Sequence, residues 1–275
     1  TCPDGQRYER AMNPPTQHRA RKRFGQHFLH DKTMIGRIID AIRPLPGEHV
    51  VEIGPGLGAL TDPLLRTGIL LTAVEIDRDL AQRLRDTYAG DERFTLIESD
   101  VLKAPLDAIQ PRPLRLVGNL PYNISTPLIF RLLDLPEVRD MHFMLQKEVV
   151  DRLIASPGSS DYGRLSVMAA AKAQAQSVLR VAPGAFSPPP KGHSAVVRLI
   201  PRTPDFVVPP GDAFDQVVRL AFSARRKTLA NGLKPVLTRE QIGACDVDPG
   251  IRPEQVTPAQ FAQLAGVVAA QNQTR

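Results

Sequence analysis

The chain has 275 residues, of which 42% are hydrophobic and 23% charged, and 35 basic against 29 acidic side chains give a net charge of +6. This composition excludes a disordered chain. Two cysteines, Cys2 and Cys245, with no Cys/His cluster at metal-ligand spacing, exclude a disulfide scaffold and a zinc module, and no metal is expected. No apolar run approaches the roughly 20 residues of a membrane span, and the polar first residues lack the apolar stretch of an export signal. The expectations are a cytoplasmic protein without a membrane partner, and a monomer.

The positive surplus lies at the two ends. Residues 1–34 carry seven basic and three acidic side chains, residues 201–275 carry nine and seven, and residues 35–200 hold nineteen of each. Basic flanks on a neutral body point to a polyanionic partner such as nucleic acid.

Residues 1–20 lack apolar periodicity and read as a flexible basic arm. From His49 to about Ile200, short apolar runs alternate with helical stretches. Strands are predicted at His49–Ile53, Leu70–Glu75, Phe94–Glu98, Leu114–Gly118 and Met141–Leu145, with helices such as Leu80–Tyr88 and Thr126–Leu133 between them. That alternation is the pattern of a doubly wound, mostly parallel α/β sheet. Two late strands, Ser177–Val181 and Ala195–Ile200, flank a Pro-rich loop. Pro201–Pro204 and Val208–Gly211 then mark a linker. Helical stretches at Ala213–Phe222, Arg226–Lys234 and Pro258–Ala269 make residues 205–275 a small helical domain.

The first predicted strand runs into Gly54-Pro55-Gly56-Leu57-Gly58 ahead of a helix. Glycines there let a ligand approach the backbone, beside the free N–H groups of a helix start. Glu75 closes the second strand, where an acid can accept hydrogen bonds from both hydroxyls of a ribose. Asp100 follows the third strand and can accept from an adenine amino group, with Val101 packing near the ring. Three successive strand ends each supply a group suited to adenosine.

The fourth strand ends in Asn119-Leu120-Pro121-Tyr122. An exocyclic base amine is a poor nucleophile because its lone pair is delocalised into the ring. Acceptors on its two N–H bonds, from the Asn119 side chain and the Pro121 carbonyl, hold the nitrogen nearer to tetrahedral and free the lone pair. Tyr122 offers a ring for the base to stack on. In Ala185-Phe186-Ser187-Pro188-Pro189-Pro190, the prolines are expected to hold Phe186 at the pocket mouth as a second stacking face, so that a flipped adenine is clamped between two rings. The alternative is a Pro-rich connector with Phe186 in the core.

These motifs, with Arg21–Leu29, Val74–Asp77, Met144–Val149, Tyr162–Ser166 and Phe222–Leu229, run in one order over residues 19–270. In this set the chain resembles the small-subunit ribosomal RNA adenine N6-dimethyltransferases. The resemblance implies a Rossmann-like methyltransferase domain over residues 21–204, with S-adenosyl-L-methionine as donor. It implies a helical domain over 205–275 that engages the ribosome. The substrate it implies is a pair of adjacent adenines in a hairpin loop near the 3′ end of 16S rRNA, each dimethylated at N6 within the small subunit or its precursor. Donor contacts fall on His27, Leu29, Gly54, Gly56, Glu75, Ile76, Asp100, Val101 and Asn119, and catalysis on Asn119, Leu120, Pro121, Tyr122 and Phe186. At His27 the chain departs from the family pattern, in which many members carry Asn. RNA phosphate contacts are expected from Arg21, Lys22, Arg23, Arg225, Arg226 and Lys227.

Rival readings are a large-subunit rRNA adenine methyltransferase conferring antibiotic resistance and a chiefly non-catalytic small-subunit assembly factor. A DNA adenine methyltransferase usually has a second proline in place of Leu120. An NAD-dependent oxidoreductase gives no reason for Asn119–Tyr122 or for the basic ends.

Overall fold

The computed structural model describes residues 26–121, 124–223 and 227–273. The expected flexible arm of residues 1–20 therefore lies outside the described residues. The chain begins with a short strand, β1 (Phe28–Leu29), and a helix, α1 (Lys32–Ile42). Then follow β2 (His49–Ile53), α2 (Thr61–Arg66), β3 (Leu70–Glu75), α3 (Arg78–Thr87), β4 (Phe94–Glu98), β5 (Leu114–Asn119) and α4 (Ser125–Leu133). The second half brings β6 (Val138–Gln146), α5 (Lys147–Ile154), α6 (Arg164–Ala170), β7 (Ala173–Val181), β8 (Phe186–Ser187) and β9 (Ser194–Pro201). Helices α7 (Ala213–Ala221), α8 (Leu229–Leu233), α9 (Arg239–Gly243) and α10 (Pro258–Gln273) complete it.

The main sheet runs in the order β4-β3-β2-β5-β6-β9-β7. The first five strands of that order are parallel, and β9 is antiparallel to both of its neighbours. Every residue of β2 is buried, as are all but the first of β3 and the last of β5, so these near-continuous apolar runs take the centre of a parallel sheet. The half-exposed β4 and β7 take the edges.

Helix α1 starts at Asp31, whose side chain accepts the Met34 N–H, and stops at Arg43 in a left-handed conformation (φ 49°). Its last carbonyls are met by Arg115 of β5, which donates to Ile42 O at 2.5 Å and Arg43 O at 3.1 Å. The same guanidinium grips Asp140 of β6 at 2.8 and 2.9 Å and Glu48 at 2.7 Å. A buried cation is costly unless its donors are satisfied, and here they are. Burial opposes the ionised form of Asp140, but the Arg115 bonds hold its carboxyl below the usual range. This network pins α1, β5 and β6 together four residues before Asn119.

One face of the sheet buries Val51, Leu116, Phe143 and Val197 against α4 and α5; the other buries Val50, Leu71, Val117 and Val196 against α1 and α2. A further core is made by α7, α8 and α10, joined by Tyr162 and by Val167 of α6. Tyr162 donates to Val256 O at 2.8 Å and so ties the two parts. Helix α8 is shorter than the predicted 226–234 stretch. Its flank at Thr228 is extended, and Pro235 beyond its end lacks the N–H that a further helical bond would need. Among the described residues no helix is long and apolar enough to cross a membrane.

Candidate active site

The carboxyl ends of β2, β3, β4 and β5 and the strap from Gln26 to Leu29 enclose a cavity of about 240 Å³. The walls include His27, Leu29, Gly54, Gly56, Glu75, Ile76, Asp100, Val101, Asn119, Leu120 and Pro121, so the cavity gathers every expected donor residue and most of the expected catalytic ones.

The glycine loop follows β2 directly. Gly54, Gly56 and Gly58 all have positive φ (67°, 60° and 86°), a conformation open to glycine at no steric cost. At Gly56 the strap adds a second demand, because a Cβ would lie 3.2 Å from the Phe28 ring. The Gly56 N–H donates to Oε2 of Glu75 at 3.1 Å, and the Asp77 N–H donates to Oε1 at 2.9 Å. Both carboxylate oxygens are thereby aimed and each keeps lone-pair capacity. Burial raises the Glu75 carboxyl above its ordinary pKa, with the backbone hydrogen bonds from Asp77 and Gly56 opposing it.

Glu52, one residue before the end of β2, also lines the cavity and is 2% exposed. It accepts the Thr61 hydroxyl at 2.7 Å. Its carboxyl is pushed up to about 7 by burial and by the charge of Glu75, against the Thr61 bond. Asp100 accepts the Leu102 N–H at 2.9 Å through Oδ1, which shapes its own turn. Ile76 (44% exposed) and the buried Val101 supply apolar wall on either side of these acids.

Asn119 is the last residue of β5, one place beyond the predicted strand. Its Nδ2 donates to His27 O at 2.8 Å. Leu120 is buried and its N–H donates to Met144 O at 3.2 Å, fastening the end of β5 to β6. The Pro121 carbonyl accepts the Ile124 N–H at 3.3 Å and retains a second lone pair. Tyr122, Arg21, Lys22, Arg23, Arg225 and Arg226 lie outside the described residues; Lys227 is exposed, as a phosphate contact requires.

One placement corrects the sequence reading. Phe186 is 2% exposed, lies in the core that also holds Leu29, and is not a cavity wall. Its strand β8 pairs with β1 in the register Phe28↔Ser187 and Leu29↔Phe186, so the strap is paired directly with the segment that carries the ring. The prolines do not present Phe186 at the mouth. Burying Phe186 and Leu29 is worth about 1.5–3 kcal/mol each, which fastens the strap. His27 adds a bond, because a carbonyl only accepts and the ring Nδ1 therefore donates to Pro188 O at 2.8 Å. Gln26 donates to Asp77 at 3.3 Å.

Phe28, Glu52 and Gln26 were not picked out as site residues from the sequence. Glu52 had a visible signal, a carboxylate between the apolar Val51 and Ile53 of a central strand. Phe28 and Gln26 lie within the Arg21–Leu29 motif, but their place over the cavity depends on a pairing with a distant segment.

A parallel sheet with one reversed strand near its edge, and a glycine loop faced by paired acids at the next strand ends, define a class I S-adenosylmethionine-dependent methyltransferase. The residues present fit that donor: a doubly aimed carboxylate for ribose hydroxyls, an apolar wall beside Asp100, and cavity acids suited to its cationic centres. The model of the ribosomal RNA adenine dimethylase family matches residues 17–270, and the chain belongs to that family. It is 52% identical over 266 residues to the ribosomal RNA small subunit methyltransferase A of Pseudomonas aeruginosa, covering 94% of this chain and 98% of that one. It is 51% identical over 260 residues to the protein of the same name from Acinetobacter baylyi, covering 93% and 95%. Among solved structures it is similar to a dimethyladenosine transferase from Plasmodium falciparum (27% identity, TM-score 0.72, 86% and 96% covered). It is also similar to the 23S rRNA methyltransferase ErmE (28% identity, TM-score 0.67, 88% and 99% covered). The chain is an rRNA methyltransferase.

Proposed function

We propose that this protein methylates N6 of two adjacent adenines in a hairpin loop near the 3′ end of 16S rRNA, twice each, within the small subunit or its precursor. It acts in the cytoplasm as a monomer, with no membrane partner. The donor, when bound, supplies an activated methyl group. Glu75 holds the ribose, Asp100 with Ile76 and Val101 receives the adenine, and Gly54, Gly56, His27 and Leu29 complete the donor walls.

The observation that carries the reading is that Asn119, with its amide bonded to His27, lines the donor cavity together with Pro121. Asn119 Oδ1 and Pro121 O accept the two N–H bonds of the target amine and turn its lone pair toward the cavity. Leu120 fixes the turn between them and Tyr122 stacks on the base. Phe186 acts from the core, by holding the strap. Arg21, Lys22, Arg23, Arg225, Arg226 and Lys227 contact RNA phosphates. Residues 21–204 act as the methyltransferase domain and 205–275 as the helical domain that engages the ribosome. The closeness to relatives named for the small subunit favours that substrate over the large subunit.

The test is to incubate the protein with radiolabelled donor and undermethylated small subunits, large subunits or DNA, and to map the label. Label at adjacent adenines of 16S rRNA is expected. Label confined to large subunits or DNA, or none anywhere, overturns the proposal.

A further inference from the structure

Resting on the reading of Asn119 as the acceptor for the target amine, we infer that the main-chain carbonyl of His27 is a positioning group that decides which end of the Asn119 amide is offered to the substrate. A carboxamide carries a donor NH2 on one arm and an acceptor oxygen on the other, and a half-turn of the terminal torsion exchanges them. Only the NH2 arm can face a carbonyl oxygen, and it does so at 2.8 Å from His27 O. The oxygen arm is thereby turned away from the strap, and no described residue donates to it. The flipped amide would oppose its own N–H groups to those of the amine and leave the lone pair undirected.

The carbonyl is brought to Asn119 by several contacts that do not involve Asn119. The β1–β8 pairing sets the register of the strap, Leu29 anchors it in the core, and the His27 ring holds Pro188 O. The Gln26 amide holds Asp77, and the Phe28 ring lies over Gly56 in the space a side chain would fill. The coupling is reciprocal: the strap orients the amide, and the amide helps to hold the strap.

Phe186→Leu loosens the strap from a core position that is not a wall of the donor cavity, and it does not touch the amide. In the otherwise natural protein it should slow single-turnover methylation, at saturating donor and RNA, by about two- to tenfold, the range that one hydrogen bond's worth of bias gives. In an Asn119→Asp background, where either arm carries an acceptor oxygen, the same change should cost little. An equal cost in both backgrounds overturns the positioning role. A natural rate in Asn119→Ala overturns instead the underlying reading of Asn119, so the two failures are distinguishable.

A second measurement is independent of catalysis. The His30 amide donates to Ala185 O at 2.9 Å and reports strap closure by hydrogen exchange in the free protein. Asn119→Ala should speed its exchange by about two- to tenfold, while the Leu237 amide, bonded to Leu233 O in the helical region, keeps its rate. Unchanged exchange at His30 overturns the inference even if the Asn119→Asp protein proves too slow to assay.

Discussion

Glu75 accepts the Gly56 N–H at 3.1 Å, so the acid at the end of β3 and the glycine loop after β2 form one hydrogen-bonded unit. The Asp77 N–H on the other oxygen completes the orientation of the carboxylate. Glu75 therefore holds the loop and, in the donor site proposed above, is aimed to face the ribose.

Glu75→Ala should weaken donor binding by roughly tenfold or more, since a hydrogen bond to a charged acceptor is worth about 1.5–3 kcal/mol. Glu75→Gln, which keeps one acceptor oxygen, should fall between. Calorimetry on the folded variants measures both. A natural affinity in Glu75→Ala would remove the residue from the donor site.

Glu52 makes stability depend on pH. Its carboxyl sits at about 7 in the folded protein, against 4.5 ordinarily, because it is buried, with the charge of Glu75 adding to the shift. Below about pH 4.5 both folded and unfolded chains hold the proton. Between there and 7 the unfolded chain releases it while the folded one keeps it. Stability therefore falls as pH rises through that window and levels off above it, by at most about 3 kcal/mol from this group. Glu52→Gln, which can still accept the Thr61 hydroxyl, should flatten that fall, leaving the smaller contribution of Glu75. Denaturant titrations at pH 5 and pH 8 give the comparison, and parallel curves for the two proteins would exclude the buried acid as the cause.

The central strands were legible because β2, β3 and β5 are buried on both faces and stop at glycines or polar residues, so the ends that bear Gly54, Glu75 and Asn119 could be located by counting. The strap was not. Phe28 and Leu29 form a two-residue strand with no periodicity of their own, and their partner Ser187 lies far along the chain. Without that pairing nothing distinguishes a buried Phe186 from an exposed one, since an aromatic beside prolines looks the same in both cases. Helix α1 is capped locally by Asp31, but its last carbonyls are met by Arg115, a residue of another strand.

The basic residues of the helical region give a prediction about salt. Changing Arg225, Arg226 and Lys227 together to Glu should weaken binding to small subunits and flatten the dependence of log affinity on log salt, since each lost phosphate contact releases fewer counterions. Donor affinity should be unchanged, because Lys227 is not a wall of the donor cavity. Filter binding across a salt series checks this. A slope equal to that of the natural protein would place the RNA footprint elsewhere.

Gly118 and Gly36 make opposite predictions for the same substitution. Gly118 sits in β5 directly opposite Ile53 of β2, and a Cβ there would lie 2.4 Å from the Ile53 carbonyl oxygen. That neighbour is backbone and cannot swing aside, so β5 must lift from β2 at the end that carries Gly54 on one strand and Asn119 on the other. Overpacking of this kind costs about 1–3 kcal/mol, and here the distortion falls on both the donor loop and the acceptor amide. Gly118→Ala should therefore lose stability, donor affinity and turnover together. Gly36 is exposed in the middle of α1 with nothing within 4 Å of its absent Cβ. Gly36→Ala should raise stability by about 0.5–1 kcal/mol through the lower backbone entropy of the unfolded chain, with methylation unchanged. Thermal unfolding and single-turnover rates on the two variants measure the contrast. A Gly118→Ala protein as active and stable as the natural one would mean that β2 and β5 are not packed this closely at the site.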